Sequence, residues 1–277
     1  MADYPVHYLA EPDSLSLDLL DNVRQGRWAA IVIDNFYPPD CCEKVVSALL
    51  DHKETFFRYK QENTDAYAFG NPLNPLSSRA SGYFSEVETK YTNIRKLFND
   101  LGCEYPLDKI LGLLRSVWGA GAEIAQNEDG QRFYAGDIRF IGEAPLHNDF
   151  AARNESVGAL KAMTEQLTLQ LRTITEQLSW NLYLAGAEAG GGQLELWNRR
   201  WQQDDEAYRL PGTLMGYDDQ VIANCDKTLV EPKPGRFVIL RSTNYHRVLR
   251  SDDALHRISM TSFIGVADET KPLLLWS

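Results

Sequence analysis

From Arg132 onward the chain is a succession of short β-branched and aromatic runs separated by turn-forming residues, and this rhythm limits the fold more than any other feature of the sequence. The runs cover residues 137–142, 178–184, 193–197, 228–231, 236–240 and 257–266. Short strands punctuated by Gly, Pro, Asn and Asp predict an antiparallel jelly roll, the double-stranded β-helix, in a mainly β fold with flanking helices.

The residues before Arg132 supply the flanking pieces. Residues 28–36, WAAIVIDNF, predict a strand closed by the turn Tyr37-Pro38-Pro39-Asp40, and a helical pattern over 42–52 follows with Asp40 as its N-cap. Residues 54–85 have no clear period and predict an irregular excursion of the sort that builds pocket walls. Tyr91, Ile94, Leu97, Phe98 and Leu101 fall at helical spacing within 86–101, and 107–118 repeats the pattern, so both stretches are expected to back a sheet. A charged amphipathic stretch, 157–177, predicts a helix inserted between the first two strands, either over the mouth of the roll or packed outside it. A chain of 277 residues is expected to form one domain: 1–131 as N-terminal strand and supporting helices, and 132–277 as jelly-roll core with a helical insertion at about 151–177.

Charge and cysteine usage exclude several functions. With 39 acidic against 28 basic residues the net charge is -11, a mean field that repels phosphate backbones and anionic lipid, so neither nucleic acid nor a membrane is an expected partner. A local basic mouth remains compatible with an anionic small molecule. The four cysteines, Cys41, Cys42, Cys103 and Cys225, lack C-x-x-C spacing and read as reduced thiols, with Cys41 and Cys42 as helix positions of which one is buried and one is not. No stretch approaches the ~20 apolar residues that span a bilayer, and the first 11 residues carry neither a basic nor an apolar targeting region, which predicts a cytoplasmic protein. Monomer and homodimer both stay open.

The candidate chemistry begins at His147-Asn148-Asp149. Residues two apart on an extended strand face the same way, so His147 and Asp149 can ligate one ion while Asn148 turns away. Of the other histidines, His7 lies in the N-terminal tail, His52 ends a helix and His256 adjoins Arg257; His246 alone follows a turn after an apolar strand. In a jelly roll that later strand can lie beside the early one. Two imidazoles and one carboxylate fill three positions of an octahedral Fe(II) and leave three open, whereas zinc favours four ligands. Eleven residues on, Arg257 and Ser259 share a strand face, and a guanidinium with a hydroxyl beside it can grip the C5 carboxylate of 2-oxoglutarate. Phe150, Asn244 and Arg139 are candidates for lining the substrate pocket; Arg139 could equally pair with an acid on the outer face, and Phe150 and Asn244 could equally be ordinary packing. Trp180 and Trp197 read as core.

These residues carry a resemblance. Residues from about 132 to 266 resemble the Fe(II)/2-oxoglutarate dioxygenase superfamily in the order HxD, H, RxS. The segment Trp180-Asn181-Leu182-Tyr183-Leu184, the run Gly190-Gly191-Gly192-Gln193-Leu194-Glu195-Leu196 and the stretch from Pro232 through His246-Arg247-Val248 are similar to its strands, and the early AIVIDNFYPPDCCEKV is similar to its N-terminal strand and helix. Trp197-Asn198-Arg199-Arg200-Trp201 and Asn244-Tyr245-His246-Arg247-Val248 look like the group of free and N-acyl amino acid hydroxylases and aliphatic halogenases. Its halogenases carry Gly or Ala where Asp149 stands here, leaving a site for chloride, so the departure implies hydroxylation. The resemblance implies Fe(II) as cofactor with 2-oxoglutarate and dioxygen (O2) as cosubstrates. It implies oxidation of an unactivated C–H bond of a small molecule, an amino acid, a modified amino acid or a natural-product intermediate, with release of succinate and CO2. A non-catalytic jelly-roll binding protein, and an oxygenase of protein side chains, are the alternatives.

Overall fold

The computed structural model describes residues 3–51, 57–58, 66–72, 82–149, 169–186, 191–213, 216–251 and 257–277. Among these residues the strands form two sheets. The larger runs β1 (Val6–Leu9), β2 (Ala30–Ile33), β11 (Phe237–Leu240), β8 (Glu176–Ala185), β13 (Ile258–Val266), β6 (Asp137–Ile141), β4 (Ala66–Phe69) and β3 (Phe57–Arg58), with β14 (Leu273–Trp276) pairing β13 and β5 (Ala122–Ile124). The smaller runs β10 (Lys227–Val230), β9 (Leu194–Arg200), β12 (Asn244–Val248) and β7 (Ala144–His147). Apart from β1 with β2 and β14 with β5, the pairings are antiparallel. This is the jelly roll that the strand rhythm predicts, as two facing sheets without a closed barrel.

Strand alternation divides the large sheet into two surfaces. Ile31, Ile33, Trp180, Leu182, Phe237, Ile239, Ile258 and Met260 point to the helical side and join the main core. Val32, Val238 and Tyr183 point the other way and pack against Leu194, Leu196 and Val248 of the small sheet. The slot between the sheets is therefore the inner face of the roll. Trp180 is fully buried and Trp197 is 2% exposed, so both are core.

Four helices cover the other side: α1 (Leu17–Arg24), α2 (Pro39–Leu50), α3 (Tyr83–Asp100) and α4 (Pro106–Val117). Tyr83, Val87, Tyr91, Ile94 and Phe98 give α3 one buried stripe at steps of three and four. A bidentate pair from Arg95 to Asp108, at 2.5 and 2.7 Å, ties α3 to α4. No helix of the described residues is long and apolar enough to cross a membrane.

Three expectations are corrected here. First, α2 starts at Pro39 with Pro38 as its cap, and Asp40 lies in the first turn without a capping hydrogen bond. Pro39 takes the first helical position because its missing N–H would have no partner there. Second, Cys41 and Cys103 are disulfide-bonded, not reduced thiols, and both Cys41 and Cys42 are buried. The packing of α2 against the turn after α3 brings the Cys41 and Cys103 Cα atoms to 5.8 Å, within disulfide reach, although they stand 62 residues apart. Third, the expected helix over 157–177 falls largely outside the described residues; within them only one turn, α5 (Leu169–Arg172), is helical, and Glu176 and Gln177 already belong to β8. The β-branched Thr173-Ile174-Thr175 disfavours a helix, and the Thr175 N–H donates to Val266 of the neighbouring strand instead.

The disulfide closes a 62-residue separation, for which chain-entropy arguments give a stabilisation of up to about 4 kcal/mol. Reductant should lower the thermal midpoint of the native protein and leave that of Cys103→Ser unchanged. Thiol titration of the denatured, unreduced chain should find Cys42 and Cys225 only; detection of all the cysteines as free would refute the pairing.

Candidate metal and cosubstrate site

Pairing of β7 with β12 is what assembles the site. In this register His147 stands directly opposite His246, and the two rings lie 4.3 Å apart. The chain then leaves β7, and the Asp149 N–H donates to the Ser242 carbonyl at 2.9 Å, which folds the carboxylate back over the pair. Asp149 Oδ2 lies 3.3 Å from His246 Nε2 and Oδ1 lies 3.7 Å from His147 Nε2. Ligand atoms of the three residues all lie within 4.8 Å of one another, a separation one metal ion can bridge. His246 is buried, while His147 and Asp149 keep partial access from the slot.

Hydrogen bonds on the far side of each ring aim the site. His147 Nδ1 meets the Pro145 carbonyl at 2.6 Å and His246 Nδ1 meets the Asn244 carbonyl at 2.9 Å. A carbonyl only accepts, so each Nδ1 carries a proton; Nε2 of the neutral His147 keeps its lone pair, and loss of the Nε2 proton from His246 leaves the same tautomer, the one that metal-bound histidine needs. Gln177, which sequence reasoning did not single out, donates from Nε2 to the Asp149 carbonyl at 2.5 Å and fixes the backbone at that candidate ligand. It sits on the inner face of β8, two residues before Ser179 and four before Asn181, so strand alternation was the available signal.

Electrostatics prepare the three groups differently. Burial, and then the charge of His246, hold the His147 imidazole down at about 4. Burial pushes the Asp149 carboxyl up, but the charge and hydrogen bond of His246, with smaller help from His147 and Arg139, hold it at about 2. Burial works against a charged His246, yet the Asp149 carboxylate and the Asn244 carbonyl carry it above its ordinary value. Without metal the pair is an ion pair of Asp149 with His246, beside a neutral His147.

Arg257 lies deeper in the slot. It is 3% exposed; its Nε donates to the Gly192 carbonyl at 2.7 Å and its Nη2 approaches the Tyr183 hydroxyl at 3.5 Å. No acid pairs with it among the described residues, and burial lowers its affinity for its proton. A buried guanidinium without a counter-ion costs several kcal/mol, a cost that an anion beside it would offset. Gly192 has φ +68°, and a Cβ there would stand 3.0 Å from the arginine's Cδ, so the glycine lets carbonyl and side chain meet. Ser259, 3% exposed, faces Tyr183 across the register. Tyr183 is a second residue that the sequence reading did not single out, although its two-residue offset from Asn181 puts it on the inner face.

The remaining candidates divide. Arg139 is on β6 opposite Ser259, on the inner face, with its Nη2 4.0 Å from Asp137. Asn244 is buried, with its amide nitrogen on the Trp197 carbonyl at 3.1 Å and the Tyr4 hydroxyl at 3.3 Å. Phe150, like His52 and His256, lies outside the described residues.

Two facing antiparallel sheets with two histidines and a carboxylate converging between them define the jelly-roll class of metal-dependent oxygenases that use 2-oxoglutarate. A family model described as carrier-protein-independent halogenase WelO5 matches residues 10–277, and the chain belongs to this family of Fe(II)/2-oxoglutarate enzymes. An N-substituted L-amino acid dioxygenase from Burkholderia ambifaria AMMD is similar in structure, with a TM-score of 0.56, 16% identity and coverage of 94% of this chain and 91% of that one. The same enzyme in complex with alpha-KG superposes with the same values. EctD from S. alaskensis in its apoform gives a TM-score of 0.45 at 14% identity, covering 95% of this chain and 81% of that one. No curated protein matches in sequence.

The donor set of two imidazole nitrogens and one carboxylate oxygen suits ferrous iron, and His147, Asp149 and His246 could bind it. Metal and proton compete for the same nitrogen on each ring. With His147 near 4 and Asp149 near 2, only His246 carries a proton to be displaced above about pH 5. Affinity for Fe(II) or Co(II), titrated without oxygen, should therefore fall by about tenfold per pH unit from the His246 range down to pH 5. A slope of two protons, or no slope, would show that the triad is not prepared in this way.

Proposed function

We propose that this chain hydroxylates an aliphatic C–H bond of a small amino-acid-like molecule and does not halogenate it. One observation carries the reading: Asp149 is present, with its carboxylate oxygens 3.3 and 3.7 Å from the two Nε2 atoms. A carboxylate in that place takes the coordination position that a halide would need. The amino-acid substrate class rests on the similar fold of an N-substituted L-amino acid dioxygenase. We also read the chain as one folding unit, because strands from before and after residue 131 share the large sheet.

In this reading His147, Asp149 and His246 hold the iron, and Arg257 with Ser259 holds the distal carboxylate of 2-oxoglutarate. Bound iron and 2-oxoglutarate supply the oxidation of the C–H bond by dioxygen, with succinate and CO2 as by-products. The protein's own residues do the rest. Pro145 and Asn244 carbonyls lock both imidazoles, so His147, Asp149 and His246 would hold the iron from one converging set of side chains and would leave it open to the reactants. Arg257 neutralises an incoming carboxylate at a depth fixed by Gly192 and Tyr183, and thereby sets where the keto end of the cosubstrate reaches. Leu194, Leu196, Val238 and Val248 line the slot's interior and limit water in it.

With Fe(II), 2-oxoglutarate and oxygen supplied, purified protein should form succinate, and a substrate from a panel of free and N-acyl amino acids should gain one oxygen by mass spectrometry. Asp149→Ala should lower product formation at least ~100-fold by removing the anionic ligand. Full hydroxylation by that variant, or a halogenated product from the native chain with chloride present, would overturn the reading. Arg257→Ala should raise the apparent KM for 2-oxoglutarate by roughly 10- to 100-fold, with a smaller change in substrate KM. An unaltered value would remove Arg257 from the cosubstrate site.

A further inference from the structure

Leu146 and Tyr245 are the residues just before the two histidines, and strand alternation turns them to the outer face of the small sheet. There they pack with Trp197, Tyr217, Val221 and Ile222 in an apolar cluster of their own. The segment after β9 supplies most of this cover. Residues 208–210 and 216–218 run antiparallel, with the Leu210 N–H on the Gly216 carbonyl and the Asp218 N–H on the Tyr208 carbonyl, at 2.9 and 2.8 Å. From that pair the Tyr217 N–H donates to the Leu146 carbonyl at 2.9 Å. β7 has four residues and ends the small sheet among the described residues, so this bond gives it a partner besides β12. Its steadiness bears on the site, because His147 Nδ1 is tied to the Pro145 carbonyl and the ring moves with the strand.

Two consecutive acids hold Tyr217 and Tyr245 from behind. Glu206 accepts the Tyr217 hydroxyl at 2.8 Å, the Trp201 indole N–H at 3.1 Å and two bonds from Arg209 at 2.8 and 2.9 Å. Arg209 also donates to the Tyr217 hydroxyl at 2.6 Å and lies over its ring. Asp205, 3% exposed, accepts the Tyr245 hydroxyl at 3.2 Å, Arg199 at 2.6 Å and the Gln202 N–H at 2.7 Å. The two phenol rings meet edge to face at 5.2 Å. One turn, Gln203–Tyr208, thus acts on Tyr245 directly and on Leu146 through Tyr217. Burial pushes the Glu206 carboxyl up, but the bonds from Arg209 and Tyr217 hold it below its ordinary value, so this anchor stays an anion. Apolar packing alone would cover the face without the desolvation that these charges cost. What charged hydrogen bonds add to apolar cover is direction.

We propose that Tyr217, fixed by Glu206 and Arg209, is a positioning residue for His147, and that Asp205 acts likewise on His246 through Tyr245. The proposal rests on the metal-site reading above and deepens it: the turn Gln203–Tyr208 sets, from the outer face of the sheet, how tightly the triad holds its ion. Groups behind metal ligands influence affinity because they keep donor atoms aimed when thermal motion would spread them.

The test titrates Co(II) into the intact protein without oxygen and follows its absorption bands. Tyr217→Phe, Glu206→Ala and Tyr245→Phe should each weaken Co(II) binding roughly tenfold, the lower end of what partners behind metal ligands contribute. Glu206→Gln keeps a carbonyl for the phenol and the indole and should recover part of the loss. Tyr37→Phe is the control, since it removes a phenol bond of 2.6 Å to the Glu104 carbonyl on the helical side. It should lower the thermal midpoint of the metal-free protein and leave Co(II) affinity unaltered. An equal loss of affinity in Tyr37→Phe would reduce the effect to general stability and overturn the proposal, as would native affinity in Tyr217→Phe and Glu206→Ala. The native protein gives a further readout that needs no variant to fold. Coupling acts in both directions, so the Tyr217 N–H should exchange with solvent about tenfold more slowly once Co(II) is bound. An unaltered exchange rate overturns the proposal equally. Failure of the native protein to bind Co(II) at all would instead bring down the metal-site reading itself.

Discussion

The alignment of β7 with β12 in the small sheet is the constraint on which the rest of the site depends. Because side chains alternate along a strand, sliding this pair by one residue would turn one imidazole out of the slot. The register that puts His147 opposite His246 is held from several directions: Val248 pairs with Ala144, β9 pairs with the other edge of β12, and the Asp149 N–H closes on the Ser242 carbonyl. The hydrogen bonds from both Nδ1 atoms to backbone carbonyls then convert a sheet register into a fixed direction for the two Nε2 atoms. Geometry of this kind is supplied by the backbone, and the ligands themselves contribute only their donor atoms.

Around that nucleus the slot is organised by charge as much as by shape. The protein has a net charge of -11, yet two arginines, Arg257 and Arg139, face the interior of the roll on adjoining strands. Desolvating a guanidinium opposes folding, and the cost is tolerated where an anion will later pair with it. Gly192, Tyr183 and Ser259 surround one arginine and Asp137 stands beside the other, so each cation has its own setting and its own degree of exposure. Helices α1 to α4 take no direct part; they bury the opposite face of the large sheet and so fix the strands that carry these groups.

Much of this was legible in the chain. The strand rhythm after Arg132 gave the jelly roll, and period two predicted that His147 would face with Asp149 and Arg257 with Ser259. Helix periodicity located α3 and α4 within a few residues. The reading failed where a partner remote in sequence decided the outcome. Cys41 and Cys103 looked like reduced thiols because nothing local brings them together, and only the docking of α2 on the turn after α3 does so. Asp40 looked like a cap, but Pro38 holds that place and the helix starts at Pro39, two positions earlier than an Asp40 cap would allow. Gln177 and Tyr183 passed unnoticed because a glutamine and a tyrosine on a strand carry no chemical signature until the residues they touch are known.

The sequence by itself determined the kind of fold, the identities of the candidate metal-binding donors and the presence of Asp149 where the resemblance places a smaller residue in halogenases, because these are matters of residue type, motif order and short-range alternation. Tertiary structure alone decided that the two histidines are direct neighbours, that Arg257 is buried with no acid paired to it among the described residues, and that Arg139 looks inward beside Ser259. Those facts follow from strand pairing between residues a hundred or more positions apart, and the free energy that selects the pairing is spread over the two packed faces of the large sheet, with no single motif in which to read it.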